Sequence, residues 1–212
     1  MNNKVLVIAV HPDDEVLGCG GTILKHKANG DDVKVVFVSG GNSSQKSYID
    51  DVVKVLGVSF ENLDLPDMYL ADQSLNDIIP LFIKIIDEYK PSILYIPNRS
   101  DIHSDHRAIY EAVIPFTKSF RYPFIKEVNM CEVHSETDLA PPLIENVFQA
   151  NYFVDISDFW EAKKKSIEIY ESELLEHPHT RSMSAIEAQN RYRGSLISVN
   201  YAEAFQTLKR II

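Results

Sequence analysis

A chain of 212 residues, 45% hydrophobic and 25% charged, has the composition of an ordinary globular protein and is long enough to bury a core in one domain without disulfides. Its 31 acidic side chains against 21 basic ones leave a formal charge of -10, which repels polyanions and excludes extended DNA or RNA as partners, while a few arginines could still gather a small anion in one cleft. Cys19 and Cys131 lie far apart and form no C-x-x-C pair, so neither a thiolate metal site nor a redox dithiol is indicated, and a reducing cytoplasm suits them.

The apolar run Val5 to Val10, preceded by Asn2, Asn3 and Lys4, is too short for a signal core or a membrane span. The expectation is a soluble, cytoplasmic protein. Rich in β-branched residues, the run predicts a central strand buried on both faces of a parallel sheet. Polar residues follow, then Gly18, Gly20 and Gly21, and a helix over Thr22 to Ala28 closed by Asn29-Gly30. Val33 to Ser39 predicts the next strand, which completes a right-handed crossover unit.

Helices are predicted near Ser44 to Leu56 and Leu75 to Tyr89, and a strand from Ser92 to Pro97. A helix follows His106 through Phe116, then a strand over Glu127 to His134. Asp158 to Leu175 and Ser184 to Tyr192 carry helical patterns, whereas Leu139 to Ile144 and Glu176 to Arg181 interrupt the rhythm as rim loops. With no repeat or flexible linker, residues 1–212 are expected to form one domain: a Rossmann-like α/β three-layer sandwich around a mostly parallel sheet.

Two polar clusters sit where strands of such a sheet should end, the usual mouth of a binding site. In Ala9-Val10-His11-Pro12-Asp13-Asp14-Glu15, Pro12 stiffens the exit from the strand. Three adjacent carboxylates beside a histidine form a site that a divalent cation would neutralise, and His with Asp suits zinc. The bland reading is an acidic turn capping the next helix. A dinucleotide loop is the competing reading of the glycines, but Gly18-Cys19-Gly20-Gly21 lacks the G-x-G-x-x-G form, and the acidic turn would repel pyrophosphate. Close approach of the helix to the sheet or to a ligand explains them better.

The second cluster, Asp101-Ile102-His103-Ser104-Asp105-His106, offers two histidines three residues apart with an aspartate beside the second. That is a nitrogen ligand plus a positioned acid or base; alone, it could equally be a capped helix start with surface histidines. Two such clusters in matching topological positions point to one shared metal centre.

Together these stretches resemble the PIG-L, or LmbE-like, zinc-dependent deacetylases of N-acetylglucosaminyl conjugates and related compounds. Ala-Val-His11-Pro12-Asp13-Asp14-Glu15 with its glycines is similar to the first family motif and His103-Ser104-Asp105-His106 to the second, while Arg193-Gly194 and Tyr201 to Phe205 resemble the closing segment. The resemblance implies an enzyme that removes an N-acetyl group from an amino sugar or sugar conjugate and releases acetate. It also implies His11, Asp14 and His106 as metal ligands, Asp13 as general base, His103 as the protonated stabiliser of the transition state and Asp105 as the residue tuning it, with Glu15 in support. Zinc is the implied metal, though iron or cobalt would suit the same ligands.

Substrate contacts are expected from Ser39, Gly40 and the neighbouring Gly41-Asn42 turn, from Asp67 and Arg99 after strand-like segments, and from His179 and Arg181 in a loop able to close over a polar or anionic group. Gln45-Lys46 stands where family members often carry a substrate-holding arginine. Trp160, Tyr170 and Phe159 are expected in the core or a subunit interface, and His26 and His134, read as lacking acidic neighbours, at the surface or in packing roles. The alternatives are an amidohydrolase of a non-sugar acetamide and a noncatalytic nucleotide- or sugar-binding module. The expected partner is a small N-acetylated sugar or conjugate and not a nucleic acid, no membrane span is expected, and homo-oligomerisation stays open.

Overall fold

The computed structural model describes residues 2–41 and 43–212, the side chains of 43–45 excepted; Asn42, expected in a substrate turn, therefore lies outside the described residues. The strands are β1 (Lys4–Ala9), β2 (Asp32–Ser39), β3 (Ser59–Leu65), β4 (Ile93–Ile96), β5 (Glu127–Cys131), β6 (Tyr152–Asp155) and β7 (Ala202–Arg210). The helices are α1 (Asp14–Ala28), α2 (Ser43–Leu56), α3 (Leu75–Tyr89), α4 (Ser104–Val113), α5 (Trp160–Ile169) and α6 (Met183–Ser195). The strands form one sheet in the order β3-β2-β1-β4-β5-β7-β6, parallel from β3 through β5, with β7 antiparallel between β5 and β6.

Alternation along β1 explains the apolar run that opens the chain. Val5, Val7 and Ala9 join a core with residues of α1, α2, α5 and α6, whereas Leu6, Ile8 and Val10 join a second core with residues of α3 and α4. The sheet is thus covered on both faces, giving the expected α/β three-layer architecture. Strand order reverses at β1, which has β2 on one side and β4 on the other. The crevice beyond the carboxyl ends of β1 and β4 is where such sheets bind ligands.

The structure departs from the predicted elements in two places. The first helix begins at Asp14 rather than Thr22 and runs through the glycines. They let it lie close to its neighbours: a Cβ on Gly21 would come within 2.7 Å of Ile156. Strands β3, β6 and β7 are additional to the predicted ones; β3 is half exposed and β7 carries Glu203, Gln206 and Lys209, so neither presents a clean apolar run.

The helix is bent at Cys19, whose φ of -152° interrupts the helical backbone. A buried ion pair captures the groups freed by the bend. Glu203 accepts from the Gly21 and Thr22 amides at 2.8 and 2.7 Å, and Lys163 donates to the Leu17 carbonyl at 3.2 Å, to Asn190 at 3.2 Å and to Glu203 at 2.7 Å. Removing one partner strands a charge in the core, so Glu203→Ala should cost about 3–5 kcal/mol. Denaturant unfolding measures this; a loss below about 1 kcal/mol would mean the pair does not brace the bend.

The aromatic residues fall where expected. Trp160 is buried and stacks on Tyr201 with centroids 4.6 Å apart, Tyr170 is buried, and Phe159 lies against the same core. His134 is buried as well. His26 does have an acidic neighbour, contrary to expectation: its Nδ1 lies 2.7 Å from Asp31 Oδ2 and its Nε2 lies 3.0 Å from the Tyr95 hydroxyl. Among the described residues no helix is long and apolar enough to cross a membrane.

Candidate metal centre and pocket

The two clusters occupy equivalent strand-to-helix turns, one from β1 into α1 and the other from β4 into α4. Because β1 and β4 are adjacent and parallel, the turns meet. Asp13 sits just before α1 with φ of 131°, a backbone conformation that costs about 1–3 kcal/mol for a non-glycine residue and is typical of functional turns. His103 caps α4, its Nδ1 accepting the Asp105 amide at 3.1 Å.

His11, Asp14 and His106 each offer a ligand atom within 4.8 Å of the others; so do His11, His103 and Asp105. In the first group, Asp14 Oδ2 lies 3.3 Å from His106 Nε2 and 3.8 Å from His11 Nδ1. His106 Nε2 and Asp14 Oδ1 of the first group, like His11 Nε2 and Asp105 Oδ2 of the second, are buried without a hydrogen-bond partner, a costly state for polar atoms and the one expected of atoms near a cation. Two imidazoles and one carboxylate fit zinc or a related divalent metal with room for a further ligand.

Carboxylates stand behind both imidazoles. His106 Nδ1 lies 2.8 Å from Asp101 Oδ2, and Thr137 in turn donates to Asp101 Oδ1 at 2.7 Å. His11 Nε2 faces Asp67 Oδ1 at 3.1 Å and Asp105 Oδ2 at 3.6 Å. Such partners fix tautomer and ring orientation in metal-binding histidines. Asp105 bonds to groups other than His103, the residue it is expected to tune, although its charge still acts to raise the His103 pKa. Its Oδ1 accepts the Leu70 and Ala71 amides at 3.1 and 3.3 Å, and its carboxylate faces His11, while His103 receives only its backbone amide.

The charges follow from this arrangement. Burial alone would depress His11, but Asp105, Asp67 and Asp14 outweigh it and raise its pKa to about 9. His106 is likewise held well above the ordinary value by Asp14 and Asp101 despite burial. Asp14, though buried, is held far below the usual carboxylate range by His106 and His11. His103 is pushed down by burial and by its two charged neighbours, His11 and His106. Since its Nδ1 accepts a backbone N–H, neutral His103 carries its proton on Nε2.

Burial raises Asp13 to about 7, with Arg181 opposing and Asp14 adding to the rise. Glu15, pushed up to about 8 by burial, accepts the Tyr170 hydroxyl at 2.7 Å and the Asp13 amide at 3.0 Å. Above the turns lies an open pocket of about 130 Å³ lined by His11, Asp13, Asp67, Met68, His103, Glu136, Glu173 and Arg181.

Of the residues expected to contact substrate, Asp67 and Arg181 line this pocket, whereas Ser39, Gly40, Arg99 and His179 do not. Ser39 is fully buried at the end of β2. Gly40 lies against Asp64 and Lys46, which pair with each other. Arg99 donates to the Glu145 carbonyl, and His179 accepts the Arg181 amide at 3.1 Å. Sequence reasoning gives no role to Asp101, although it lies five residues before His106 in the second cluster. Glu136 and Glu173 carry no motif and are brought in by the fold alone.

Known proteins resemble this chain in sequence and in fold. The Escherichia coli K12 protein described as uncharacterized deacetylase YaiS is 32% identical over 120 residues, a match spanning 51% of this chain and 64% of that protein. The diacetylchitobiose deacetylase of Thermococcus kodakarensis is 24% identical over 237 aligned positions, 96% of this chain and 82% of that one. A solved structure of GalB, the 4-carboxy-2-hydroxymuconate hydratase of Pseudomonas putida KT2440, superposes with a TM-score of 0.76 at 19% identity over 100% of this chain and 98% of its own. The fold thus hosts more than one chemistry. The family model described as PIG-L, GlcNAc-PI de-N-acetylase, matches residues 6–117, a span that holds both His/Asp clusters and more than half of the 212 residues; the chain belongs to the PIG-L family.

Proposed function

We propose that this chain, acting as one domain, is a metal-dependent N-deacetylase of an amino sugar or sugar conjugate, with His11, Asp14 and His106 holding the metal, zinc by the nature of the donors. One observation carries the reading: the three candidate ligands converge beside Asp13, a residue that lines an open pocket and whose Oδ1 is buried and unpartnered. A divalent ion bound there supplies Lewis acidity toward the acetamide carbonyl and makes a water more acidic.

The chain's own side chains do the rest. Asp13 Oδ1 takes a proton from the attacking water as the new C–O bond forms. His103, whose Nδ1 accepts the Asp105 amide and whose hydrogen is therefore on Nε2, donates from Nε2 to the developing oxyanion. As the C–N bond breaks, Asp13 returns its proton to the amine. Acetate and a free amine are the products.

Acetate release from a panel of N-acetylated sugars and nucleotide-sugars, with and without a chelator, tests the reading. Chelator-sensitive release is expected; no release from any of them with zinc supplied would contradict it.

The charged imidazoles imply a pH dependence. Both must lose a proton to bind a cation, and His11 is raised from 6.5 to about 9 in the metal-free protein. Zinc affinity should therefore increase as pH rises from 6.5 towards 9, by up to about 100-fold per pH unit if both protons leave. The stability that the raised histidines lend the metal-free chain is full below 6.5 and is lost as pH rises through about 9. Chelator competition across this range measures the affinity; a flat profile would show that His11 and His106 do not give up protons to the ion and so do not hold it.

A further inference from the structure

We infer that Arg181 is a positioning residue for Asp13, holding Oδ2 so that Oδ1 is the oxygen that accepts the proton. The inference rests on the deacetylase reading. Arg181 Nη1 lies 2.7 Å from Asp13 Oδ2 and 3.3 Å from Glu173 Oε2, and Nη2 lies 3.3 Å from Glu136 Oε1. Asp13 Oδ1, by contrast, is buried with no partner. The two oxygens of one carboxylate are thereby made unequal.

The guanidinium is delivered by a closed loop. Arg181 returns its carbonyl to the Leu175 amide at 3.2 Å, its own amide donates to His179 Nδ1 at 3.1 Å, and Thr180 Oγ1 meets Ser135 Oγ at 2.6 Å. Its side chain is 18% exposed, and a planar fork can serve three carboxylates where a lysine ammonium cannot hold the same geometry. This arrangement argues against the clamp on an anionic substrate group expected from the loop's position. Both terminal nitrogens are already engaged, and a phosphate entering the pocket would meet Asp67, Glu136 and Glu173.

The test compares Arg181→Met and Arg181→Lys with the parent on N-acetylglucosamine and on N-acetylglucosamine 1-phosphate. Arg181 touches none of the three candidate ligands, so metal content should not change. Arg181→Met is expected to lower kcat at least about tenfold with KM within about threefold, equally on both substrates. Arg181→Lys should keep more activity, and added guanidinium should restore part of the rate to Arg181→Met but none to Asp13→Asn. If Arg181→Met fails to fold, Arg181→Lys carries the comparison. A raised KM with kcat retained, or a loss confined to the phosphorylated sugar, would make Arg181 a substrate clamp and overturn the inference.

The tether is also read without turnover. Trypsin should cut after Arg181 at least about fivefold faster in Asp13→Ala than in the parent, because the loop loses its anchor. An unchanged rate would overturn the tether. Absence of acetate release from the zinc-loaded parent would instead contradict the deacetylase reading, and the trypsin comparison would still judge the ion pair.

Discussion

Asp13→Asn is expected to remove most turnover while leaving the metal bound. Asparagine keeps the size of the side chain and can still accept from Arg181, but it cannot take a proton from water. Loss of a positioned general base typically costs about 10²–10⁴-fold in rate. None of the three candidate ligands is altered, so zinc content should match the parent. Burial pushes the Asp13 carboxyl up to about 7 against the opposing pull of Arg181. A variant turning over within a few-fold of the parent would show that the proton goes elsewhere.

Replacing a candidate ligand should have a different signature. His106→Ala and His11→Ala are expected to lose metal and activity together. Structural zinc sites with four ligands are worth about 10–16 kcal/mol, so deleting one ligand should weaken binding roughly 10²–10³-fold. Asp101→Asn, which removes only the carboxylate behind His106, should weaken it about 10–100-fold. His103→Ala separates the two candidate groups. If His11, Asp14 and His106 hold the ion, this variant keeps its zinc and loses rate; if His11, His103 and Asp105 do, it loses the metal. Equilibrium dialysis against a zinc-buffered chelator, paired with kcat, distinguishes these cases.

Much of this site is legible in the amino-acid sequence, for a physical reason. Ligands on a parallel sheet cluster at strand ends, and both strand-end segments, His11 to Glu15 and Asp101 to His106, are contiguous along the chain. β1 is legible because burial on both faces leaves an unbroken apolar run, and α3 because its apolar spacing and polar flanks agree. β7 is not. Its first half is buried, yet it contains Glu203, whose charge is matched by Lys163 forty residues earlier, and no local pattern reports such a partner. Glu136, Glu173 and the grip of Arg181 on Asp13 are likewise long-range, set by loops that only the folded chain brings together. Asp105 shows the limit of a motif. The residue is recognisable, but its carboxylate turns to the Leu70 and Ala71 amides and to His11, a choice made by a segment more than thirty residues away.

Anomalous diffraction from a zinc-soaked crystal, recorded on both sides of the zinc absorption edge, asks without any assay whether these side chains hold a cation. One strong peak per chain is expected, within bonding distance of His11, Asp14 and His106. A peak bounded instead by His103 and Asp105, or no peak at this end of the sheet, would contradict the assignment.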